Sequence, residues 1–409
     1  MSPAVKSPAL DVGELLANPD IKVIVTCGSG GVGKTTTAAA MGLRAAEQGR
    51  RVAVLTIDPA RRLAQSMGLT ELDNTPRPVP GIDAQNNGAL FAMMLDMKRT
   101  FDDVVEQHST PDRAQAIFDN PFYQALSSSF AGTQEYMAME KLGQLRETLG
   151  TADSEWDLII VDTPPARSAL DFLDAPQRLG RFLDGRMIKL LTAPSKAYFK
   201  VVGASFTLFT KMLTKVLGTD LLSDVSTFVS SLEAMFGGFR ERAEHTYALL
   251  KAPDTAFLVV ASPEPDSLRE ASFFVERLAD EAMPLAGLIV NRVHAAAVGI
   301  TAGAANDAAD ALGAAPRSRR RPARKTAAES EATAAKVSKE PSERDRGVAA
   351  AALRVQAEAA TLATHDARMM RRFAAAHPDT PMATVAALAT DVHDLDSLRR
   401  VGDLLVGGA

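Results

Sequence analysis

The sequence predicts an α/β fold, a mostly parallel sheet flanked by helices, on three observations. Short apolar runs recur along the chain, at Ile21–Cys27, Arg51–Asp58, Leu90–Leu95, Leu158–Asp162, Phe257–Ser262 and Leu285–Asn291. Each is followed by turn or helix-start chemistry, and longer segments rich in Ala, Leu, Glu and Arg lie between them. That alternation is the pattern of βα units stacked around a parallel sheet. The chain has 409 residues, 46% of them hydrophobic, enough to bury one large α/β core with insertions or two smaller ones. Pro381–Leu388 reads as one more strand near the C-terminus.

Two regions break the rhythm and divide the chain. Residues 1–178 read as the first part of the core. Leu179 to Arg242 reads as continuous helix rich in Leu, Phe, Val and Met, so 179–250 is taken as an inserted helical subdomain. Residues 251–312 return to the core. From 313 to 346 the sequence is Ala, Arg, Ser, Glu and Lys with almost no large apolar residue, too little buried surface to offset ordering, and reads as a flexible linker. Residues 347–409 are read as C-terminal helices and a last strand completing the core.

Charge and cysteine usage narrow the class. Lys plus Arg is 45 and Asp plus Glu is 50, a net charge of −5, which argues against dedicated nucleic-acid binding. Cys27 is the only cysteine, so no intrachain disulfide forms. The N-terminus carries no stretch that reads as a signal peptide. Val201–Thr210, the strongest apolar run mid-chain, is about half the ~20 residues needed to span a bilayer. The expected setting is the cytoplasm, with peripheral attachment at the inner membrane face as an option.

The most informative motif is Gly28-Ser29-Gly30-Gly31-Val32-Gly33-Lys34-Thr35, followed by Thr36. It follows the first apolar run and opens a predicted helix over Thr36–Gln48, the context a phosphate-binding loop needs. Glycines let successive backbone N–H groups turn toward phosphate oxygens, and the helix N-terminus adds partial positive charge. Lys34 is placed to reach the β- and γ-phosphates, and Thr35 to offer its hydroxyl to Mg²⁺. The predicted fold is therefore a P-loop NTPase with ATP as substrate and Mg²⁺ as cofactor. Asp162 closes the run Leu-Ile-Ile-Val-Asp, where the Mg²⁺ shell needs an acid. Asp58 closes the second run and is placed to orient or deprotonate the attacking water. Cys27, beneath the loop, reads as a buried structural thiol.

With these residues in hand the chain resembles the arsenical pump-driving and guided-entry (tail-anchored protein targeting) ATPases, in their actinobacterial-type anion-transporting branch. The shared stretches are GSGGVGKTT at 28–36, TIDPARRLA at 56–64 and VDTPPARSALDFLDAP at 161–176. SPEPDSLREASFFVERL at 262–278, GLIVNRVH at 287–294 and DVHDLDSLRR at 391–400 continue the series in order. The resemblance implies that Asp58 is the catalytic aspartate of switch I and that Asp162 opens switch II. It implies that Asn291 binds adenine and that Glu264 approaches the nucleotide across a dimer interface. It further implies a dimer that closes over ATP and couples hydrolysis to a client or membrane partner.

The departures from the family pattern carry expectations of their own. The family's loop begins Lys-Gly-Gly, and that lysine reaches the partner's phosphates; here the position is Ser29. A hetero-oligomer with a homologous ATPase that keeps the lysine is the expected working form, with a homodimer as the alternative. Arg167 and Ser168 stand where Gly-His is common, and one cysteine cannot build a zinc pair or a three-thiolate arsenite site. In the insert, Tyr198, Val202, Phe206, Phe209, Leu213 and Val216 form a helical stripe opposite Lys189, Lys196, Lys200, Lys211 and Lys215. It reads either as core or as a surface for an apolar client or an anionic membrane. The basic run Arg317–Lys325 reads as a solvated segment. Two other functions stay open: a partition-type ATPase, and an ATP-binding regulatory subunit.

Overall fold

The computed structural model describes residues 7–57, 61–83, 85–120, 123–124, 133–149, 155–164, 241–242, 244–296, 299–314 and 342–407. Asp58, Arg167, Ser168, the apolar stripe at 198–216 and the basic run at 317–325 lie outside them.

The expected runs form strands. They are β1 (Val23–Cys27), β2 (Arg51–Thr56), β4 (Ala89–Met94), β5 (Leu158–Asp162), β6 (Thr255–Ala261), β7 (Leu285–Val293) and β8 (Met382–Ala386). A two-residue strand, β3 (Arg77–Pro78), is added at the edge. One sheet results, in the order β3-β4-β2-β5-β1-β6-β7-β8. Every pairing is parallel except β3 against β4. The central strands β1, β5 and β6 are buried along their whole length. That is why they read as largely apolar runs and not as alternating ones.

Helices cover both faces. On one side lie α1 (Val12–Ala17), α2 (Lys34–Glu47) and α10 (Leu395–Val406), whose buried residues share a cluster with Ile24, Val54, Ile160 and Leu258 of the sheet. Helix α2 presents Ala38, Ala39, Ala40, Ala45 and Ala46 to this cluster, so its backbone runs close to the strands. At Gly42 an added Cβ would lie 2.6 Å from Val54 Cγ2, so no larger residue fits without displacement. On the other face Val104, Val105, Met139, Leu142, Phe274 and Leu278 pack against Val25, Val161 and Val259. They come from α4 (Met97–His108), α6 (Thr133–Thr148) and α7 (Pro265–Asp280). Helices α3 (Arg61–Ser66), α5 (Pro111–Phe118), α8 (Ala302–Ala314) and α9 (Glu343–Ala376) complete the described set.

The structure moves two predicted boundaries. Helix α2 opens at Lys34, ahead of the predicted Thr36, because Gly33 takes the cap position with φ 96° and lets the loop run directly into the helix. Helix α9 opens at Glu343, inside the stretch read as linker to 346. Ser342 Oγ accepts from Asp345 N at 3.2 Å, and the Asp345 carboxylate accepts from Ser342 N at 3.1 Å. This reciprocal cap stabilises a first turn whose composition alone gives no apolar signal. The C-terminal end of α9 places Met369 and Phe373 in the core, and β8 pairs with β7 as the edge strand.

Arg50, which no motif marks, fixes how the chain enters this core. Its guanidinium meets the Asp157 carboxylate at 2.7 Å and also donates to the carbonyls of Leu16, Asn18, Ile21 and Asp157. One planar donor fork thus ties the start of β1, the start of β2 and the start of β5 together.

Candidate nucleotide site

The site grows from the C-terminal end of β1. Gly28 has φ 148°, and a Cβ there would lie 2.1 Å from the Val260 carbonyl, so only glycine lets the chain leave the sheet past β6. Gly31 and Gly33 also take positive φ. Gly30 and Gly31 are exposed while Val32 is buried, so the loop is anchored by its valine and open at its glycines. Lys34 is buried, and its Nζ donates to Ser29 O at 2.9 Å across the loop.

Asp162 ends β5 fully buried beside this loop. Thr35 Oγ1 donates to Asp162 Oδ2 at 2.6 Å, and Thr56 Oγ1 donates to the same oxygen at 3.0 Å. Neighbouring threonines stiffen the strand ends: Thr26 Oγ1 donates to Val161 O at 3.2 Å, and Thr163 Oγ1 to Thr26 O at 2.8 Å. The structure therefore brings Thr35 and Asp162 together as the sequence suggests. Ile57 N donates to Asp162 O at 3.0 Å, which pins the residue immediately before Asp58 to the same strand end.

Asn291, near the end of β7, also faces the loop. Its Nδ2 donates to Val32 O at 2.8 Å, and its Oδ1 accepts from Arg292 N at 2.9 Å. A Cβ on Gly33 would lie 2.3 Å from Asn291 Nδ2, so the close approach of this amide requires glycine at 33. The side chain braces the phosphate loop, a contact the sequence reading did not foresee.

Ser29 Oγ lies 3.2 Å from Ser267 Oγ, which accepts from Ser262 N at 2.9 Å. The loop is thereby joined to the first turn of α7. Glu264 caps that helix, exposed, one turn before Ser267 and with no side-chain bond to the cap. Thr56 and Ser267 lie within the shared stretches at 56–64 and 262–278, but their contacts with Asp162 and Ser29 follow from strand register and helix placement and were not read from the sequence. Cys27 is buried below the loop, and burial pushes its thiol up to about 12, with Lys34 opposing the shift. That keeps it protonated at neutral pH, and its burial matches a structural thiol.

A parallel sheet with a glycine loop between its central strand and a buried helix, and a strand-end acid bonded to the loop threonine, define a P-loop NTPase fold. The chain belongs to the anion-transporting ATPase family, whose model matches residues 21–300. It is 26% identical over 283 residues to ATPase get3 of Schizosaccharomyces pombe, spanning 68% of this chain and 75% of that protein. To ATPase GET3A of Arabidopsis thaliana it is 26% identical over 289 residues, 70% of this chain and 71% of that one. ATPase ARSA2 of Chlamydomonas reinhardtii is likewise 26% identical over 277 residues, covering 67% and 68%. Among the described residues no helix is long and apolar enough to cross a membrane.

Proposed function

We propose that this ATPase binds ATP with Mg²⁺ at the Gly28–Thr36 loop and hydrolyses it in a dimer that opens and closes around a client or membrane partner. The observation that carries the reading is the 2.6 Å bond between Thr35 Oγ1 and the buried Asp162 carboxylate at the head of the loop. Hydroxyl and carboxylate oxygens are the donors a small hard cation takes, so Thr35 and Asp162 fit Mg²⁺. When bound, Mg²⁺ would neutralise charge developing on the β- and γ-phosphate oxygens.

The chain's own groups divide the remaining work. Backbone N–H groups of Gly30, Gly31, Val32 and Gly33 and the α2 N-terminus bind phosphate. Lys34 exchanges its bond to Ser29 O for the β- and γ-phosphates. Asp58 orients the attacking water. Asn291 serves the adenine from the strand end where it now braces Val32, and Glu264 approaches the nucleotide of the opposing subunit. The guided-entry resemblance supports an apolar segment as the client class, with the 179–250 insert as the proposed docking region for a client or membrane surface.

A second reading, in which the working form is a hetero-oligomer with a lysine-bearing homologue, is favoured by Ser29. Its hydroxyl is engaged with Ser267, and a serine brings no cation to a partner's phosphates. Steady-state ATP turnover by the purified chain, with Mg²⁺ and with EDTA, tests the main proposal. Mg²⁺-dependent turnover is expected, and its absence at every protein concentration would leave the chain an ATP-binding regulatory subunit. Addition of a homologous ATPase that carries the lysine is expected to raise the rate under the hetero-oligomer reading. Full activity of the chain alone, unchanged by Ser29→Lys, would rule that reading out in favour of the homodimer.

A further inference from the structure

We infer that Thr56 is a positioning residue for the metal site: its hydroxyl sets the orientation of the Asp162 carboxylate, and so tunes Mg²⁺ affinity without touching metal or nucleotide. The inference rests on the proposed Mg²⁺–ATP role of the Thr35–Asp162 pair and names a residue that no motif assigns to it.

The strand register makes the case. Thr56 and Thr26 both lie beside Asp162, one on each neighbouring strand. Only Thr56 sends its hydroxyl to the carboxylate; that of Thr26 goes to the Val161 carbonyl. Thr56 and Asp162 are both fully buried, so water does not reach in to replace the bond. Asp162 Oδ2 therefore receives two hydroxyls, from Thr35 at 2.6 Å and Thr56 at 3.0 Å, from opposite sequence neighbourhoods. Two donors converging on one oxygen fix the rotation of the carboxylate plane, which one donor leaves softer. The fixed plane in turn holds the Thr35 hydroxyl proton, leaving its lone pairs for a cation. Partners one bond removed from a metal's ligands orient those ligands, and their loss typically costs about 10- to 100-fold in metal affinity.

Thr56 also ends β2, and Ile57 N bonds to Asp162 O, so the same contact pair fastens the approach to Asp58. A purely structural threonine would affect folding stability alone. A positioning one shifts the metal dependence, and serine, which keeps the hydroxyl, restores it.

The test is a Mg²⁺ titration of fluorescent ADP binding, with Mn²⁺ binding by electron paramagnetic resonance as a readout independent of turnover. Thr56→Val, close to threonine in shape, is expected to weaken the apparent metal affinity about tenfold or more. Its nucleotide affinity in EDTA should stay within about twofold of wild type, and Thr56→Ser should recover the wild-type metal dependence. Should Val fail to fold, Thr56→Ala is read in the same titration, with circular dichroism confirming that it is folded. Wild-type metal affinity in a folded Val or Ala variant overturns the inference while leaving the site assignment intact. A wild-type nucleotide affinity that does not change between EDTA and saturating Mg²⁺ overturns the site assignment, and this inference with it.

Discussion

Lys34→Ala is expected to weaken ATP binding by about a hundredfold or more, close to ~3 kcal/mol. The ammonium is buried at the head of α2 and already crosses the loop to Ser29 O, so it is held where phosphate would sit and has no freedom to wander. Its replacement removes a charge-assisted contact to the β- and γ-phosphates in the ground state as well as in the transition state. Affinity and turnover should therefore fall together. Isothermal titration with a slowly hydrolysed ATP analogue measures it, and equal affinity in wild type and variant would withdraw the assignment of the loop. Because the Nζ bonds a loop carbonyl, a melting curve is needed beside the titration to separate lost binding from a loosened loop.

The second large effect belongs to Asp58→Asn, expected to bind ATP about as well as wild type yet hydrolyse it at least ~10²-fold more slowly. Water orientation matters only as the γ-phosphoryl departs, so the loss lies in the transition state and spares ground-state affinity. Asparagine keeps the size of aspartate and removes its charge. Single-turnover hydrolysis beside equilibrium binding separates the two quantities. A rate within tenfold of wild type would move the water-orienting role to another residue.

The sequence made the centre of this fold legible and its edges less so. Strands β1, β5 and β6 are buried on both faces, so they are apolar over most of their length and visible. Strand β3 was not visible, because two residues, one of them proline, leave no periodicity to read. The start of α9 was lost for a related reason: Ser342 and Asp345 stabilise it through capping bonds within a polar, alanine-rich stretch.

The candidate site divides in the same way. The loop glycines, Lys34, Thr35 and Asp162 announce themselves because a contiguous pattern or a strand end marks each of them. Thr56 and Ser267 carry ordinary hydroxyls; the role of Thr56 arises from register between β2 and β5, and that of Ser267 from the packing of α7 beside the loop. Asn291 was visible through resemblance, yet its bond to Val32 depends on how β7 and the loop meet in space. Gly33 gains its second constraint from that same meeting and would otherwise read as one loop glycine among several.

A crystal structure of the chain with Mg²⁺ and a non-hydrolysable ATP analogue tests the central claim most directly. The account predicts the triphosphate within the Gly28–Thr36 loop, Lys34 Nζ turned from Ser29 O to the β- and γ-phosphates, and Mg²⁺ on the Thr35 hydroxyl with Asp162 beside it. Nucleotide bound elsewhere, or bound in the loop with Mg²⁺ remote from both Thr35 and Asp162, would contradict it.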